Sequence, residues 1–445
     1  MEYINKILQG DAKSILKTLP NESVNCIVTS PPYFGLRDYG IEPTIWDGDK
    51  NCEHEWGSKR KIPKTTQWNT GGVFDPNNRK TVQEEKYIGQ FCTKCSAWRG
   101  SLGLEPTFDL YIKHLCDIFD EVKRVLKKDG TCWVNLGDSY GGSGNASGHT
   151  EDTKNLGYKT SEMGATKGNQ KATRQYAKSL LLIPQRFAIE MVNRGWILRN
   201  TIIWHKPNCM PSSAKDRFTV DFEYLYFFTK SKKYWFEQQL EPHKEVSIKA
   251  RNSKLNQTTN IGASRSAVNV QMGNESRGNR FIPEGGKNKR AVWTITTKPF
   301  KEAHFATFPE DLIATPIKAG CPRYVCKKCG KAREKMYKDI DNRHWTDRQK
   351  ATKKGMILNE TGQRNDLGGS FETKETQFIG LTDCGCNAGW EPGIVLDIFS
   401  GAGTTAVVAK KQGKRYIGIE IKQEYIDMAN KRIRAIPETL FDIVK

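Results

Sequence analysis

The sequence contains no long uncharged apolar stretch, and its first residues do not form the apolar core of a secretion signal. A membrane span and an export signal are therefore not predicted. Acidic residues are scarce relative to basic ones, since 50 Asp and Glu stand against 70 Lys and Arg and give a formal net charge of +20. Such an excess favours a polyanionic partner, because lysine and arginine displace counterions from phosphates.

Cysteine is not scarce: the 12 cysteines include several close pairs. In an intracellular protein, pairs of this kind are more typical of metal ligands or buried thiols than of disulfides. Two sets each offer four soft ligands, a number that suits tetrahedral zinc, and Cys321 is an alternative ligand in the second set. The two sets are Cys52, His54, Cys92 and Cys95, and Cys326, Cys329, Cys384 and Cys386. We expect structural zinc at both, with free thiols as the alternative.

Alternating strand and helix patterns occupy both ends of the chain. The apolar run 24–28 ends abruptly at two prolines, which cannot continue a central strand. Near the C-terminus, a strand over 393–398 leads through a small-residue turn into a helix over 406–412, and a second strand follows at 416–421. This alternation predicts an α/β fold with a mostly parallel, doubly wound sheet.

The turn at residues 400–405 reads Ser-Gly-Ala-Gly-Thr-Thr and follows a buried strand. Glycine turns of this kind let a ligand approach the backbone at a helix N-terminus. Glu420 comes about twenty residues later, at the end of the next strand, where an acid can bind ribose hydroxyls. The turn departs from the G-x-G-x-x-G of dinucleotide sites, which argues against a nicotinamide cofactor. A tight strand-to-helix connection without a ligand is the alternative.

A second motif, Thr-Ser-Pro-Pro-Tyr at residues 29–33, follows the strand over 24–28. Carbonyl oxygens around the prolines and the Ser30 hydroxyl can accept hydrogen bonds from an amino group. Tyr33 offers a face on which a base can stack. The alternative is a rigid turn with an aromatic plug.

Both motifs resemble those of amino-methylating DNA methyltransferases of the permuted beta group, in which the catalytic motif comes first. Residues 29–33 resemble the catalytic motif, and residues 397–405 resemble the D-P-F-x-G-S-G-T-T cofactor motif, with Ile398 for proline and Ala402 for serine. The segments Gly10-Asp11, 204–208 and 304–309 also match the group.

The resemblance implies a methyltransferase-type, Rossmann-like doubly wound sheet with permuted motif order, S-adenosylmethionine as cofactor and double-stranded DNA as partner. It implies a cytoplasmic enzyme, of a bacterium or a phage-infected cell, that belongs to a restriction-modification setting. The catalytic residues would be Ser30, Pro31, Pro32 and Tyr33. The cofactor-binding residues would be Asp11, Asp397, Phe399, Gly401, Gly403, Thr404, Thr405 and Glu420.

In the implied reaction, Ser30 and the Pro31 carbonyl hold the exocyclic amino group of a flipped base for direct methyl transfer. Serine before Pro-Pro-Tyr is commoner in the cytosine-N4 enzymes of the resembled group, so we expect N4-methylcytosine, with adenine N6 as the alternative target. An alternative of another class is a zinc-containing DNA-binding protein with an inactive methylase core.

The predicted organisation is one methyltransferase domain with insertions. Its catalytic half comprises 1–41 and 104–243, its cofactor half comprises 291–320 and 387–445, and the cysteine inserts are 42–103 and 321–386. Between the halves, residues 244–290 hold ten Lys and Arg against three Glu, interleaved with Asn, Gln and Ser. Those residue types contact phosphates and base edges, so this stretch is the expected target-recognition region.

Overall fold

The computed structural model describes residues 2–36, 38–57, 59–63, 83–87, 90–141, 174–243, 286–298, 308–341 and 374–437. The chain divides into two compact units. The first comprises Met1–Trp235, Ala291–Cys321 and Ile394–Lys445, and the second comprises Phe236–Arg290 and Pro322–Gly393. Within the described ranges, no helix is long and apolar enough to cross a membrane. The segment 304–307 and all but the last five residues of 244–290 lie outside the described residues.

The first unit is built on an eight-stranded sheet. Its strands are β1 (Lys6–Gln9), β2 (Val24–Thr29), β7 (Leu126–Leu136), β8 (Ile197–His205), β9 (Phe222–Thr229), β12 (Val292–Thr294), β17 (Ile394–Asp397) and β18 (Arg415–Glu420). Their spatial order is β1-β18-β17-β2-β7-β9-β8-β12. Only β9, among the described strands of this sheet, runs antiparallel to both neighbours. The predicted α/β doubly wound sheet is therefore confirmed, with one reversed strand.

Six helices cover the two faces of this sheet in the described part of the chain. They are α1 (Ala12–Thr18), α2 (Phe108–Val125), α3 (Ile183–Asn193), α4 (Glu310–Gly320), α5 (Thr404–Lys411) and α6 (Gln423–Arg434). Buried side chains of α1, α2 and α3 form one apolar cluster with the sheet, and those of α4, α5 and α6 form another. The result is a three-layer arrangement with the sheet in the middle.

Central strands and capped helices follow from the sequence. Every residue of β2 is buried, as expected for a parallel strand covered on both faces. Helix α2 begins after Thr107, whose side chain accepts a hydrogen bond from the backbone N–H of Leu110. Its apolar residues repeat at helical spacing and face the sheet. The predicted strands and helices at both chain ends agree with the structure to within a few residues.

Short antiparallel ribbons make up the remaining described structure. In the first unit, β3 (Thr44–Trp46) pairs with β6 (Trp98–Gly100), and β4 (Lys59–Pro63) pairs with β5 (Gln83–Tyr87). In the second unit the ribbons are β10 (Leu240–Glu241) with β11 (Lys287–Asn288), β13 (Val325–Cys326) with β16 (Trp390–Glu391), and β14 (Lys335–Asp341) with β15 (Lys374–Leu381). A short 3-10 turn covers Arg174–Tyr176.

Candidate active site

A cavity of about 430 Å³ lies at the edge of the sheet where four parallel strands end. Its lining includes Gly10, Ser30, Ile398 and Ile421, the residues that directly follow β1, β2, β17 and β18. Because the carboxyl ends of parallel strands open onto one edge, residues far apart in sequence meet there. Residues of both predicted motifs line this cavity, so the two motifs share one site.

The catalytic motif forms one wall of the cavity through a hydrogen-bond network. The Tyr33 hydroxyl donates to Glu223 Oε2 at 2.7 Å and lies 3.3 Å from Asn135 Oδ1. Asn135 Nδ2 donates to Glu223 Oε2 at 3.1 Å, and the Ser30 hydroxyl lies 3.5 Å from Asn135 Oδ1. Lys206 Nζ bonds the other oxygen of Glu223. The side chains of the motif are therefore oriented by three residues on β7, β8 and β9, or just after them.

The electrostatics of this wall keep Tyr33 neutral. Burial raises the pKa of the Tyr33 phenol well above its usual range, and the negative charge of Glu223 raises it further. The phenol therefore keeps its proton, which forms a hydrogen bond to the Glu223 carboxylate. Tyr33 is thus held as a neutral ring.

Three close neighbours hold the Pro-Pro-Tyr turn. The hydroxyl of Tyr111, on α2, donates to the Pro32 carbonyl at 2.7 Å. A Cβ at Gly137 would lie 2.6 Å from Cε2 of Tyr33, so only glycine lets the ring occupy this place. Gly103 has φ +92° and passes beside the same backbone, where a Cβ would lie 3.1 Å from the Tyr33 carbonyl oxygen. The shape of the turn therefore depends on neighbours from three other segments.

Asp397 ties the cofactor turn to the catalytic strand. Its two carboxylate oxygens accept hydrogen bonds from the hydroxyls of Thr29 and Thr405, each at 2.6 Å. Oδ1 also accepts from the backbone N–H of Phe399 at 3.1 Å. Burial raises the pKa of Asp397 to about 6, against the lowering effect of these hydrogen bonds. The carboxylate therefore orders the start of the turn and the end of β2 together.

Glu420 supports the other side of the turn. Its Oε2 accepts from the backbone N–H of Gly401 at 2.8 Å, and its Oε1 accepts from the N–H groups of Ile421 and Lys422, both at 3.0 Å. Burial raises the pKa of the Glu420 carboxyl. Gly403 has φ +74°, and a Cβ there would lie 2.6 Å from the Cβ of Ala429 on α6. Glycine is therefore required at this position by backbone conformation and by packing.

The structure brings the predicted cofactor and catalytic residues together. Nine of the twelve line the cavity: Asp11, Ser30, Pro31, Pro32, Tyr33, Phe399, Gly401, Thr404 and Glu420. The other three, Asp397, Gly403 and Thr405, lie behind the cofactor turn and shape it. Asp11 also caps α1, because its Oδ1 accepts from the backbone N–H of Ser14 at 2.9 Å.

Several lining residues were not assigned a role from the sequence. Asn135 lies between Val134 and Leu136 in the buried part of β7, and Glu223 lies between Phe222 and Tyr224 at the half-buried start of β9. Lys206 belongs to the segment 204–208, which matched the resembled group but suggested no contact. An isolated polar residue inside an otherwise apolar strand is the signal that could have identified Asn135, because burying such a group demands a partner.

A family comparison agrees with this geometry. The family model described as DNA methylase matches residues 24–324 and 390–431. The chain belongs to this family. It is an S-adenosylmethionine-dependent DNA methyltransferase of the N4/N6 type, as the two motifs implied, so the inactive-core alternative is not supported.

Relatives cover nearly the whole methyltransferase. The chain is 29% identical over 428 residues to the Type II methyltransferase M.Cfr9I of Citrobacter freundii, which covers 96% of this chain and 87% of the relative. It is also 29% identical over 431 residues to M.XycI of Xanthomonas campestris pv. cyanopsidis, with the same two shares of 96% and 87%. With M.SmaI of Serratia marcescens it shares 28% identity over 429 residues, 96% of this chain and 90% of the relative.

Both predicted metal sets of the methyltransferase come together in space. In each set the four candidate ligand atoms lie within 4.8 Å of one another. In the first, the Sγ atoms of Cys52 and Cys92 are 3.9 Å apart, and Cys95 Sγ is 3.3 Å from Nδ1 of His54. Tetrahedral zinc with bonds of about 2.3 Å to sulfur places sulfurs roughly 3.8 Å apart, so the cluster fits that ion. Cys321 is buried in the core of the first unit and is not a member of the second set.

A buried histidine connects the β3–β6 ribbon, whose strand β6 follows Cys95 of the first metal set, to the Pro-Pro-Tyr turn. The His114 ring stacks between the indoles of Trp46 and Trp98, with centroid distances of 4.6 and 5.5 Å. Its Nδ1 lies 3.0 Å from Oε1 of Glu105, and Oε2 of Glu105 accepts from the backbone N–H of Gly103 at 2.8 Å. Gly103 passes beside the Pro-Pro-Tyr turn, so the β3–β6 ribbon contacts that turn through this chain of residues.

Proposed function

We propose that the enzyme methylates the N4 amino group of cytosine in double-stranded DNA. The observation that carries the proposal is the Ser30 hydroxyl, which lines the shared cavity beside the stacking face of Tyr33. Tyr111 already donates to the Pro32 carbonyl, so the Ser30 hydroxyl and the Pro31 carbonyl are the acceptors that we assign to the amino group.

A hydroxyl suits cytosine because it can both accept and donate. Cytosine presents its N4 amino group beside the N3 acceptor, so one short side chain can contact both. Adenine places N6 beside N1 in the same way, and the preference for cytosine comes from serine at this position, which is commoner in the cytosine-N4 enzymes of the resembled group. Neighbouring polar groups are engaged with each other: Glu223 accepts from Tyr33 and Asn135, and Lys206 bonds its second oxygen. The Ser30 hydroxyl has only one long contact within this network, 3.5 Å to Asn135 Oδ1, and its oxygen keeps its acceptor capacity, which supports the assignment of Ser30 to the base.

The residues divide the work between holding and orienting. When bound, S-adenosylmethionine would supply a methyl group whose bond to the sulfonium sulfur breaks as its bond to the amino nitrogen forms, with S-adenosylhomocysteine as the leaving group and one amino proton lost to solvent. We assign Asp11, Phe399, Gly401, Thr404 and Glu420 to binding this cofactor from the opposite side of the cavity, with the turn held by Asp397, Gly403 and Thr405. Positioning of donor and acceptor in one cavity accounts for the acceleration, because aligned reactants lose little further entropy. No cysteine is needed for this chemistry.

Duplex DNA requires the target base to leave the helix, since its amino group is otherwise paired. The net charge of +20 supports a DNA duplex as partner, and the basic stretch 244–290 is our assignment for target recognition. With DNA as substrate, we assign the enzyme to the cytoplasm of a bacterium or a phage-infected cell, in a restriction-modification setting.

We further propose that each of the two cysteine sets holds one structural zinc ion. The ligand types, the count of four and the separations in each set support this assignment. A metal would stabilise the short loops that carry these ligands.

One experiment tests the target base. DNA treated with the enzyme and labelled S-adenosylmethionine is digested to nucleosides, which are identified by mass. We expect N4-methylcytosine from the wild type and none above background from Tyr33→Ala, the matched control. N6-methyladenine as the sole product would overturn the cytosine assignment and leave the methyltransferase assignment unchanged.

A further inference from the structure

The loop between β8 and β9 starts and ends at the active-site cavity. Lys206 at its beginning and Glu223, one residue into β9, both line that cavity. The backbone N–H of Lys206 donates to the Asp221 carbonyl at 2.7 Å, which closes the base of the loop. Residues 207–220 therefore form a projection at the rim of the cavity where the base is methylated.

Polar contacts anchor this loop at several points. Asn208 Nδ2 donates to the carbonyl of Thr297 at 2.9 Å, and its Oδ1 accepts from the Thr297 N–H at 2.9 Å. Asp216 pairs with Lys178 at 2.8 Å, and the Arg217 guanidinium stacks 3.5 Å from the centroid of the Tyr140 ring. The loop is thus fixed by its polar side chains.

Two apolar side chains of the same loop point into solvent. Phe218 is 96% exposed and Met210 is 89% exposed, the highest values among the large apolar side chains that the structure describes. Isolated exposed apolar residues are common on protein surfaces. Here, however, both lie on one anchored loop at the rim of the cavity, next to the exposed cations Lys215 and Arg217. That combination of apolar tips and basic flanks matches a DNA duplex.

We propose that Phe218 and Met210 insert into the duplex beside the target nucleotide and fill the space that the flipped base leaves. Apolar wedges of this type offset the lost base stacking, and nearby cations contact the flanking phosphates. The inference deepens the proposed function and rests on it, because it requires that the base leave the helix.

The test uses two duplexes that contain a target site mapped by the wild-type enzyme. One is fully paired, and the other carries an abasic site opposite the target base, so that no pair has to be broken. We expect Phe218→Ala to lower the single-turnover methylation rate on the paired duplex at least tenfold, and Met210→Ala to lower it about threefold. On the unpaired duplex both variants should come within about twofold of the wild type, because flipping no longer needs the wedge.

Matched controls separate this role from a general defect. Ile189→Ala on α3 removes another apolar side chain, 62% exposed, and should change neither rate. Cofactor affinity by calorimetry should be unchanged in all three variants.

An equal loss of methylation rate on both duplexes, or no loss on the paired one, would overturn the proposal that these side chains act as a wedge. So would dissociation of a wild-type dimer in Phe218→Ala without a change in rate, since the loop would then be a contact between two copies of the chain. If the wild type methylates no DNA, so that no target site can be mapped, the proposed function itself fails, and that outcome is visible before any variant is made.

Discussion

The proposed cofactor side and the proposed base side of the cavity are built in different ways. On the cofactor side, the turn after β17 and the acid at the end of β18 lie within 24 residues of sequence, and each stabilises the other through Glu420 and Gly401. On the base side, Ser30 and Tyr33 are oriented by Asn135, Lys206 and Glu223, which come from distant parts of the chain. The cofactor side is thus a local motif, whereas the base side depends on the assembled sheet.

A hydrogen bond between two side chains connects the two sides. Thr29 precedes Ser30 and donates to Asp397, so the end of the catalytic strand is positioned by the cofactor motif. This connection means that the two functions share a support although their ligands differ. Substitutions on either side of it should still separate cofactor binding from methyl transfer.

The largest expected effect comes from opposing substitutions on the two sides. Tyr33→Ala, like Pro32→Ala, should lower kcat by roughly a thousandfold or more because base positioning is lost, while cofactor affinity stays within about twofold. Asp397→Ala or Gly403→Val should instead abolish cofactor binding, since the turn collapses or meets Ala429. Calorimetry with S-adenosylmethionine and methylation kinetics measure the two quantities. Full activity in Tyr33→Ala would refute the base-side assignment.

A smaller effect is expected for the residues that orient the base side. Glu223→Gln should lower kcat about ten- to a hundredfold, because the carboxylate holds Tyr33, Asn135 and Lys206 at once. Cofactor affinity should not change. Glu22→Gln is the control, since Glu22 precedes β2 at the opposite edge of the sheet. If both substitutions had the same effect on kcat, the orienting role of Glu223 would be wrong.

The two cysteine clusters provide a third contrast. Metal analysis should find about two zinc ions per chain, and Cys92→Ser and Cys329→Ser should each reduce this to about one. Cys92→Ser should also lower kcat, by about tenfold, because the neighbouring β3–β6 ribbon contacts the Pro-Pro-Tyr turn through His114 and Gly103. Cys329→Ser, in the second unit, should leave kcat on short duplexes near the wild-type value.

Two results would contradict these expectations. A metal-free wild type that is folded and active would refute the zinc sites. Equal kcat in the two cysteine variants would refute the link through His114, even if both sites bind zinc. His114→Ala tests that link without altering a ligand, and it should reproduce the loss of kcat while the zinc content stays at about two.

The smallest expected effect is on the pH dependence of cofactor binding. Burial raises the pKa of Asp397 to about 6 from its usual value of 3.8, so the folded state binds more protons than the unfolded state between these values. Asp397 therefore favours folding below pH 4, and this contribution is lost as the pH rises through 6. The cationic cofactor should instead bind more tightly when Asp397 is ionised, since a carboxylate attracts positive charge.

Affinity for S-adenosylmethionine should consequently fall by up to about tenfold between pH 7 and pH 5. Burial also raises the pKa of Glu420, which titrates in the same direction, so Asp397→Asn is needed to isolate the effect. That variant should bind more weakly at pH 7 and show a flatter profile. A wild-type profile that is flat over this range would contradict the role of the Asp397 charge.

Sequence reasoning reached the strand-turn motifs because each is contiguous. A buried strand followed by prolines or by glycines has a local cause, and β2 and β17 end where these residues predict. Glu223 could not be recognised in the same way, because β9 reads as an apolar core strand with aromatic residues on both sides. Its role depends on the reversed direction of β9 between β7 and β8, which brings it beside Tyr33.

By itself, the sequence determined the alternation of strands and helices, the two motifs, their permuted order and the paired cysteines. Each of these is read from local spacing or from the order of segments along the chain. The tertiary structure alone decided that the β9 glutamate holds the catalytic tyrosine, that His114 links a cysteine ribbon to the Pro-Pro-Tyr turn, and that four cysteine or histidine side chains converge twice. The physical reason is that these contacts join residues on separate strands and loops. Their distances are set by sheet register and packing rather than by the intervening chain.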